Sequence, residues 1–105
     1  MYKAKIHYDV IISPEAEREL LESKSFYAEQ KDELGFEFLN EVELTINRVS
    51  SNPFQFPSHR IKMVRKAKVD RFPFNIFFAI QGNIINILAI FHCSRNQKSL
   101  KKRTP

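Results

Sequence analysis

Apolar and polar side chains alternate along the first residues of the chain. One face of this stretch is entirely apolar or aromatic and carries Tyr2, Ala4, Ile6, Tyr8, Val10 and Ile12. A period of two residues is typical of a strand with one buried face. We therefore predict a first strand over residues 2–12, with His7 on its solvated side.

The spacing of apolar residues then changes to three and four, which indicates helices. Ser13-Pro14 suits a helix start, because serine can cap the helix and proline fits its first turn. The pattern breaks over residues 32–35, and a second helix then runs to a stop at Asn52-Pro53. We predict an antiparallel pair of helices with a solvated outer surface, since residues 13–50 carry ten acidic and four basic side chains.

A basic segment over residues 59–71 follows a connection rich in proline and phenylalanine. Apolar and basic residues alternate from Arg60 to Met63, and the alternation changes phase near Val64. This pattern predicts a strand with a bulge or bend. The basic side chains of the segment are Arg60, Lys62, Arg65, Lys66, Lys68 and Arg71.

Residues 72–92 contain two strongly apolar runs on either side of Gly82-Asn83, a pair that suits the turn of a hairpin. The register set by this turn predicts the pairs Phe74–Phe91, Ile76–Ala89, Phe78–Ile87 and Ile80–Ile85 on the face that covers the helices. The opposite face carries Phe77, Leu88 and Ile90, which are too apolar for a free surface. We expect these three either to bind a partner or to be covered by the C-terminal tail.

The order of elements predicts an α+β fold. An N-terminal strand and an antiparallel two-helix hairpin precede a three-stranded antiparallel sheet, and the helices pack on one face of that sheet. The 105 residues are expected to form a single domain over 1–105, with a basic tail over 96–105 that is either disordered or a binding segment. The longest apolar run is too short to span a membrane, so a cytoplasmic protein is the default expectation.

Charge is divided sharply along the chain. Residues 1–58 carry six basic and eleven acidic side chains, whereas residues 59–105 carry eleven basic side chains and one acid, Asp70. Such a basic half suits phosphates or an acidic protein surface. Cys93 is the single cysteine and the three histidines are dispersed, so neither a disulfide, a metal site nor a cofactor is predicted.

The order and spacing of these segments resemble the RelE/ParE superfamily of bacterial type II toxins. YDVIISPEAEREL resembles the family's opening strand and first helix, and FLNEVELTINRVSSNPFQFP resembles its second helix and stop. RFPFNIFFAI and INILAIFHCSRN resemble its central hairpin, which often ends on His-x-x-Arg. The resemblance implies a toxin neutralised by a cognate antitoxin that lies across or beside the sheet and the basic groove.

Two activities follow from this resemblance. RelE-like members cleave messenger RNA on the ribosome, and ParE-like members block DNA gyrase. The two full-length helices and the long third strand favour the ParE-like alternative. A basic module that binds nucleic acid without a toxin role is a third hypothesis.

A ribonuclease would need an acid or base and cations around the phosphate. His92 is the candidate acid or base and His59 its complement. The candidate phosphate ligands are Arg60, Lys62, Arg71 and Arg95. Asn75, however, lies where RelE-like nucleases commonly carry an arginine. We therefore expect His92 to have a structural or partner-binding role and Arg95 to form salt bridges with the antitoxin or the tail. The residues predicted to bind a partner are Arg60, Lys62, Arg65, Lys68, Phe77, Leu88 and Ile90.

Overall fold

The computed structural model describes residues 8–61 and 63–105, so the predicted strand residues 2–7 and Lys62 lie outside the described residues. The elements are β1 (Asp9–Ile12), α1 (Pro14–Gln30), α2 (Asp32–Ser51), a short 3-10 helix (Pro53–Gln55), β2 (Arg65–Lys68), β3 (Phe74–Gln81), β4 (Ile84–His92) and α3 (Leu100–Arg103). The predicted α+β class, with a helix pair on a mostly antiparallel sheet, is confirmed.

The sheet has four strands in the order β1-β4-β3-β2. The predicted N-terminal strand, β1, joins the three later strands in this sheet, where it lies next to β4 and runs parallel to it. Asp9 lies opposite Ile84, and Ile12 lies opposite Ile87. A parallel neighbour needs a long crossover connection, and the helix pair belongs to that connection.

The predicted start of α1 at Ser13-Pro14 is confirmed. The Ser13 Oγ accepts a hydrogen bond from the backbone N–H of Ala16 at 3.1 Å. The Ser13 N–H also donates to the Ile87 carbonyl at 3.1 Å, so the cap residue extends the pairing of β1 with β4. The helix therefore leaves the sheet at a fixed position.

The predicted break over residues 32–35 is wrong, because these residues are helical and the break lies just before them. Lys31 alone is extended, with φ −166°, and α2 begins at the next residue. Gly35 lies inside α2, where a Cβ atom would come within 2.9 Å of the Ala28 Cβ. Glycine is needed here for the close approach of the two helices and does not mark a break.

The first half of the predicted strand over 59–71 is wrong. Residues 59–61 and 63–64 form a tight loop, called loop 59–64 without Lys62, in which the Val64 N–H donates to the Ile61 carbonyl at 3.1 Å and the His59 N–H donates to the Val64 carbonyl at 2.7 Å. Met63 adopts φ 68°, in the left-handed region, which breaks the extended backbone. Only Arg65–Lys68 forms strand β2.

The hairpin follows the predicted register near its turn and departs from it farther away. Phe78 pairs with Ile87 and Ile80 pairs with Ile85, as predicted. The register then shifts, so that Phe77 lies opposite Ala89 and Leu88 is the extra residue of a bulge. The predicted pairs Phe74–Phe91 and Ile76–Ala89 are therefore wrong: Phe74 lies opposite His92 and Ile76 opposite Ile90.

One hydrophobic core lies between the sheet and the helix pair. Its aromatic centre joins α1, α2 and β3: the Phe38 ring lies 5.2 Å from Tyr27, 5.2 Å from Phe72 and 4.8 Å from Phe74. Because of the bulge, Ile90 belongs to this core and not to the opposite face. None of the helices among the described residues has both the length and the apolar composition that a membrane crossing requires.

A second core covers the other face of the sheet. Its buried members are Val64, Phe77, Ala79, Leu88, Ala89, Phe91 and Leu100. The expectation that Phe77, Leu88 and Ile90 form an exposed face is wrong, since all three are buried in the monomer. Loop 59–64 and the C-terminal segment cover Phe77 and Leu88, which confirms the alternative that the tail folds back: residues 96–105 include α3, and Leu100 is fully buried.

Candidate functional site

Glu19 anchors the C-terminal segment to α1. Its carboxylate is only 5% exposed and accepts hydrogen bonds from three groups. The Ile90 N–H donates to Oε1 at 3.1 Å, and guanidinium nitrogens of Arg95 and Arg103 each lie 2.9 Å from Oε2. A buried carboxylate is stable only with such partners, so this cluster fixes the path of the tail.

The same cluster closes an edge of the sheet. β1 pairs with β4 only as far as Ile87, so the next backbone groups of β4 need side-chain partners. The Leu88 carbonyl accepts hydrogen bonds from Ser13 Oγ at 3.4 Å and from Arg103 Nη1 at 3.0 Å. Together with the hydrogen bond from the Ile90 N–H to Glu19, these contacts provide partners for the β4 backbone groups that lie beyond the end of β1.

Phe91 positions both arginines of the cluster. The guanidinium carbon of Arg95 lies 4.1 Å from the centre of the Phe91 ring, and that of Arg103 lies 5.1 Å from it. One carboxylate thus faces two guanidinium groups, so the cluster keeps a net positive charge. Arg103 is mostly buried, whereas the Arg95 side chain is 45% exposed and presents this charge to solvent.

A basic cleft opens beside Arg95. We define the basic cleft as the space of about 620 Å³ lined by Arg60, Ile61, Arg95, Asn96, Gln97, Lys98 and Lys101. Loop 59–64 forms one wall, and the turn that follows β4 forms the other. The basic segment around Arg60 and the basic tail, which are distant in sequence, therefore contribute cations to one concave surface.

His59 connects the two walls of the basic cleft. Its Nδ1 accepts a hydrogen bond from the Ile61 N–H at 3.2 Å, so Nε2 carries the hydrogen and donates to Gln97 Oε1 at 2.8 Å. The imidazole ring also packs edge-on against Phe77, with 5.3 Å between ring centres. His59 therefore has a structural position between the cleft and the second core.

The predicted ribonuclease residues are not brought together. His92 packs against Phe74 on the helix side of the sheet, and its Nδ1 lies 2.8 Å from Ser94 Oγ. Arg95 turns instead towards Phe91 on the opposite side of the sheet, where His59 packs against Phe77. Within residues 8–61 and 63–105, no hydrogen bond or ion pair joins the side chains of His92, Arg95 and Arg71.

Arg71 forms ion pairs with two residues of α2. Its guanidinium lies 2.5 Å from a Glu37 carboxylate oxygen and 3.4 Å from one of Glu41. The hydrogen bond to Glu37, followed by the charge of that carboxylate, raises the pKa of Arg71 above its ordinary value. The backbone of Arg71 is left-handed, with φ 70°. Arg71 is thus engaged by α2 and is not one of the residues that line the basic cleft.

The other predicted binding residues are in different places. Arg65 donates to the Phe56 carbonyl at 2.6 Å and lies 5.2 Å above the Phe54 ring, so it supports the loop before β2. Lys68 is exposed on β2, Arg60 lines the basic cleft, and Lys62 lies outside the described residues. In the part of the chain that the structure describes, no group of three His, Cys, Asp or Glu residues is placed to hold a metal ion.

The sequence argument missed Glu19, Gln97, Lys98 and Lys101 as contributors to this site. One signal was present: Glu19 follows Ala16 by three residues and precedes Leu20, so it lies on the apolar stripe of α1. An acidic residue on a buried stripe requires cationic or hydrogen-bonding partners. The tail residues carried no comparable signal, because their position depends on the fold of residues 88–103.

The structure is a small α+β domain with two helices on one face of a four-stranded sheet. The family described as "ParE toxin of type II toxin-antitoxin system, parDE" matches residues 10–97, and the chain belongs to this family.

Among solved structures, the chain is similar to one described as "Chromosomal ParDE TA system from P. aeruginosa". The TM-score is 0.74 at 17% identity, and the similarity covers 85% of this chain and 98% of that chain. This likeness shows a shared fold. No curated protein matches the chain significantly in sequence.

Proposed function

We propose that this toxin inhibits DNA gyrase in the cytoplasm and that a cognate antitoxin neutralises it. The observation that carries the proposal is the match of residues 10–97 to the ParE toxin family. The positions of His92, Arg71 and Arg95 support a binding inhibitor over a nuclease, because each side chain is engaged in a different structural contact.

The proposed antitoxin is supported by the family description and by the charge of the toxin. The basic half of the chain is complementary to an acidic protein segment. Phe77, Leu88 and Ile90 are sealed in the monomer and do not offer the apolar contact that the sequence suggested. The large apolar side chains that remain exposed include Leu21, Phe26, Phe36 and Leu44 on the helix pair.

The proposal is tested by producing the chain from an inducible promoter, with and without the product of the adjacent open reading frame. We expect growth arrest without that product and rescue with it. Purified toxin should inhibit supercoiling by DNA gyrase in a dose-dependent way, and toeprinting of a translation reaction with the same toxin should show intact messenger RNA.

Two results would replace this proposal. Cuts within codons that disappear in His92→Ala would identify a RelE-like ribosome-dependent ribonuclease. Harmless expression of the folded chain, without gyrase inhibition, would favour the basic nucleic-acid-binding module. His92→Ala is a cleaner variant than Arg95→Ala, because Arg95 also stabilises the fold through Glu19.

A further inference from the structure

The basic cleft gathers positively charged side chains from two distant parts of the chain. Four of its seven lining residues are basic and none is acidic. A neighbouring groove of about 430 Å³ shares Arg60 and Lys101 with it and adds Thr104. Both walls of the basic cleft therefore place cationic side chains around the same solvent-filled space.

Most arginines outside the basic cleft have nearby carboxylates. Arg71 pairs with Glu37 and Glu41, and Arg48 pairs with Asp70. By contrast, Arg60, Lys98 and Lys101 form no ion pair with any acid in the ranges 8–61 and 63–105. The charge of the cleft is thus available to an external anion.

Arg95 contributes to this charge although it contacts an acid. Its partner Glu19 is shared with Arg103, so a single carboxylate balances two guanidinium groups. Glu19 and the Phe91 ring hold Arg95 in place, and 45% of its side chain stays exposed. An anion therefore meets a guanidinium that is already ordered, which lowers the entropic cost of binding.

The walls of the basic cleft are also fixed relative to each other. The hydrogen bond from His59 Nε2 to Gln97 Oε1, at 2.8 Å, joins loop 59–64 to the turn after β4. Within that turn, the Lys98 N–H donates to Asn96 Oδ1 at 2.8 Å. These contacts hold the backbone that carries the cations, so the site is formed before a ligand arrives.

We propose that the basic cleft binds neighbouring phosphate groups, as carried by a nucleoside polyphosphate or by a nucleic-acid strand. Arginine and lysine side chains that converge on one space favour an anion with several charges, and guanidinium groups match phosphate oxygens in pairs. The cleft lining includes no aromatic residue, so base stacking is not part of the recognition. This inference does not depend on gyrase or on an antitoxin.

The test is a titration of the labelled full-length chain with sodium pyrophosphate, followed by NMR at constant ionic strength. We expect saturable shifts of the amide signals of residues 59–61 and 95–101. The double variant Arg60→Gln/Lys101→Gln should weaken binding by at least about tenfold, because it removes two charge-assisted contacts. The matched control Lys66→Gln/Lys68→Gln removes the same charge from β2, outside the cleft, and should bind like the parent protein.

Two results would overturn the proposal: shifts no larger than those caused by sodium chloride, or equal weakening in both double variants. The second result would indicate attraction by the general positive field. Dispersed spectra of both variants would verify that they remain folded, as expected because Arg60, Lys68 and Lys101 are exposed and Lys66 is partly exposed.

A second titration distinguishes the source of the phosphates, with ATP and a short oligodeoxythymidylate as probes and thymidine as the phosphate-free control. Tighter binding of the oligonucleotide, with a salt dependence reduced by about one to two units of slope in Arg60→Gln/Lys101→Gln, identifies a strand. Equal or tighter binding of ATP identifies a nucleotide. Binding of thymidine as tight as that of ATP would contradict phosphate recognition. A chain that fails to inhibit gyrase can pass these tests, so the two proposals fail independently.

Discussion

Glu19 and Arg95 form an ion pair at 2.9 Å although 76 residues separate them in the chain. This contact joins the first helix to the turn after the last strand, and Arg103 adds a second link to the same carboxylate. One acidic residue thus stabilises the fold and also orders one wall of the basic cleft.

The substitution Glu19→Gln should destabilise the protein by about 2–4 kcal/mol, because it leaves two arginines without their shared counter-charge. The cost should appear in denaturant unfolding, and amide exchange over residues 95–103 should accelerate. Glu22→Gln is the matched control, since Glu22 is exposed on the same helix and should change stability by less than about 0.5 kcal/mol. Equal stability of the two variants would contradict the anchoring role of Glu19.

Leu100→Ala should open a cavity beneath the tail and cost about 2–4 kcal/mol, because Leu100 is fully buried in the second core. Binding of a hydrophobic dye should increase as Phe77 becomes accessible. Leu44→Ala removes the same atoms from an exposed site on α2 and should cost less than about 1 kcal/mol. A neutral effect of Leu100→Ala in thermal unfolding would show that the tail does not seal the sheet.

Gly35→Ala should destabilise the protein by about 1–3 kcal/mol, although alanine normally favours a helix over glycine. The new Cβ would lie 2.9 Å from the Ala28 Cβ and 3.0 Å from the Lys24 carbonyl oxygen. Adding Ala28→Gly should recover part of the loss by removing the first of these clashes. A stabilising effect of Gly35→Ala alone would contradict the close helix contact.

The partly buried phenol of Tyr27 should make the protein lose stability at alkaline pH. Burial raises the pKa of its phenol above the ordinary value of 10.0. The folded state therefore keeps the phenol proton to a higher pH than the unfolded state. The contribution of the protonated phenol to stability is complete below the pKa of the unfolded state and is lost as the pH rises through the folded pKa. The unfolding free energy of Tyr27→Phe should fall less between about pH 8 and about pH 11 than that of the parent. Parallel curves for the two proteins would exclude this contribution.

If the chain inhibits DNA gyrase as proposed, His92→Ala should inhibit the enzyme within about twofold of the parent protein. The His92 side chain contacts Phe74 and Ser94 and is not among the lining residues of the basic cleft. Ser94→Ala, which removes one hydrogen-bond partner of the imidazole, is the control for local structural change. A loss of toxicity in His92→Ala but not in Ser94→Ala would indicate that the imidazole acts directly.

The features that the sequence predicted correctly depend on local signals. Ser13-Pro14 starts α1 because capping involves only neighbouring residues, and Gly82 forms the hairpin turn with φ 61°. The pairs next to that turn, such as Ile80 with Ile85, follow directly from its geometry. The family resemblance likewise depended on the order of such local elements.

The features that the sequence argument missed depend on contacts between distant residues. Almost every residue of β4 is apolar, so alternation could not reveal that Leu88 bulges and that Ile90 changes face. This error made a sealed face look like a binding surface. The basic cleft was missed as a unit because Arg60 and Lys101 meet only after the tail packs on the sheet.

The contact between Glu19 and Arg103 also means that the fold can be completed only after nearly all of the chain has been synthesised. These residues are 84 positions apart, and Leu100 must reach Phe77 before the second core closes. Contacts of such long range form late and slow the acquisition of the native state. A truncated chain that ends before Leu100 is therefore expected to leave the apolar side chains of the second core exposed to solvent.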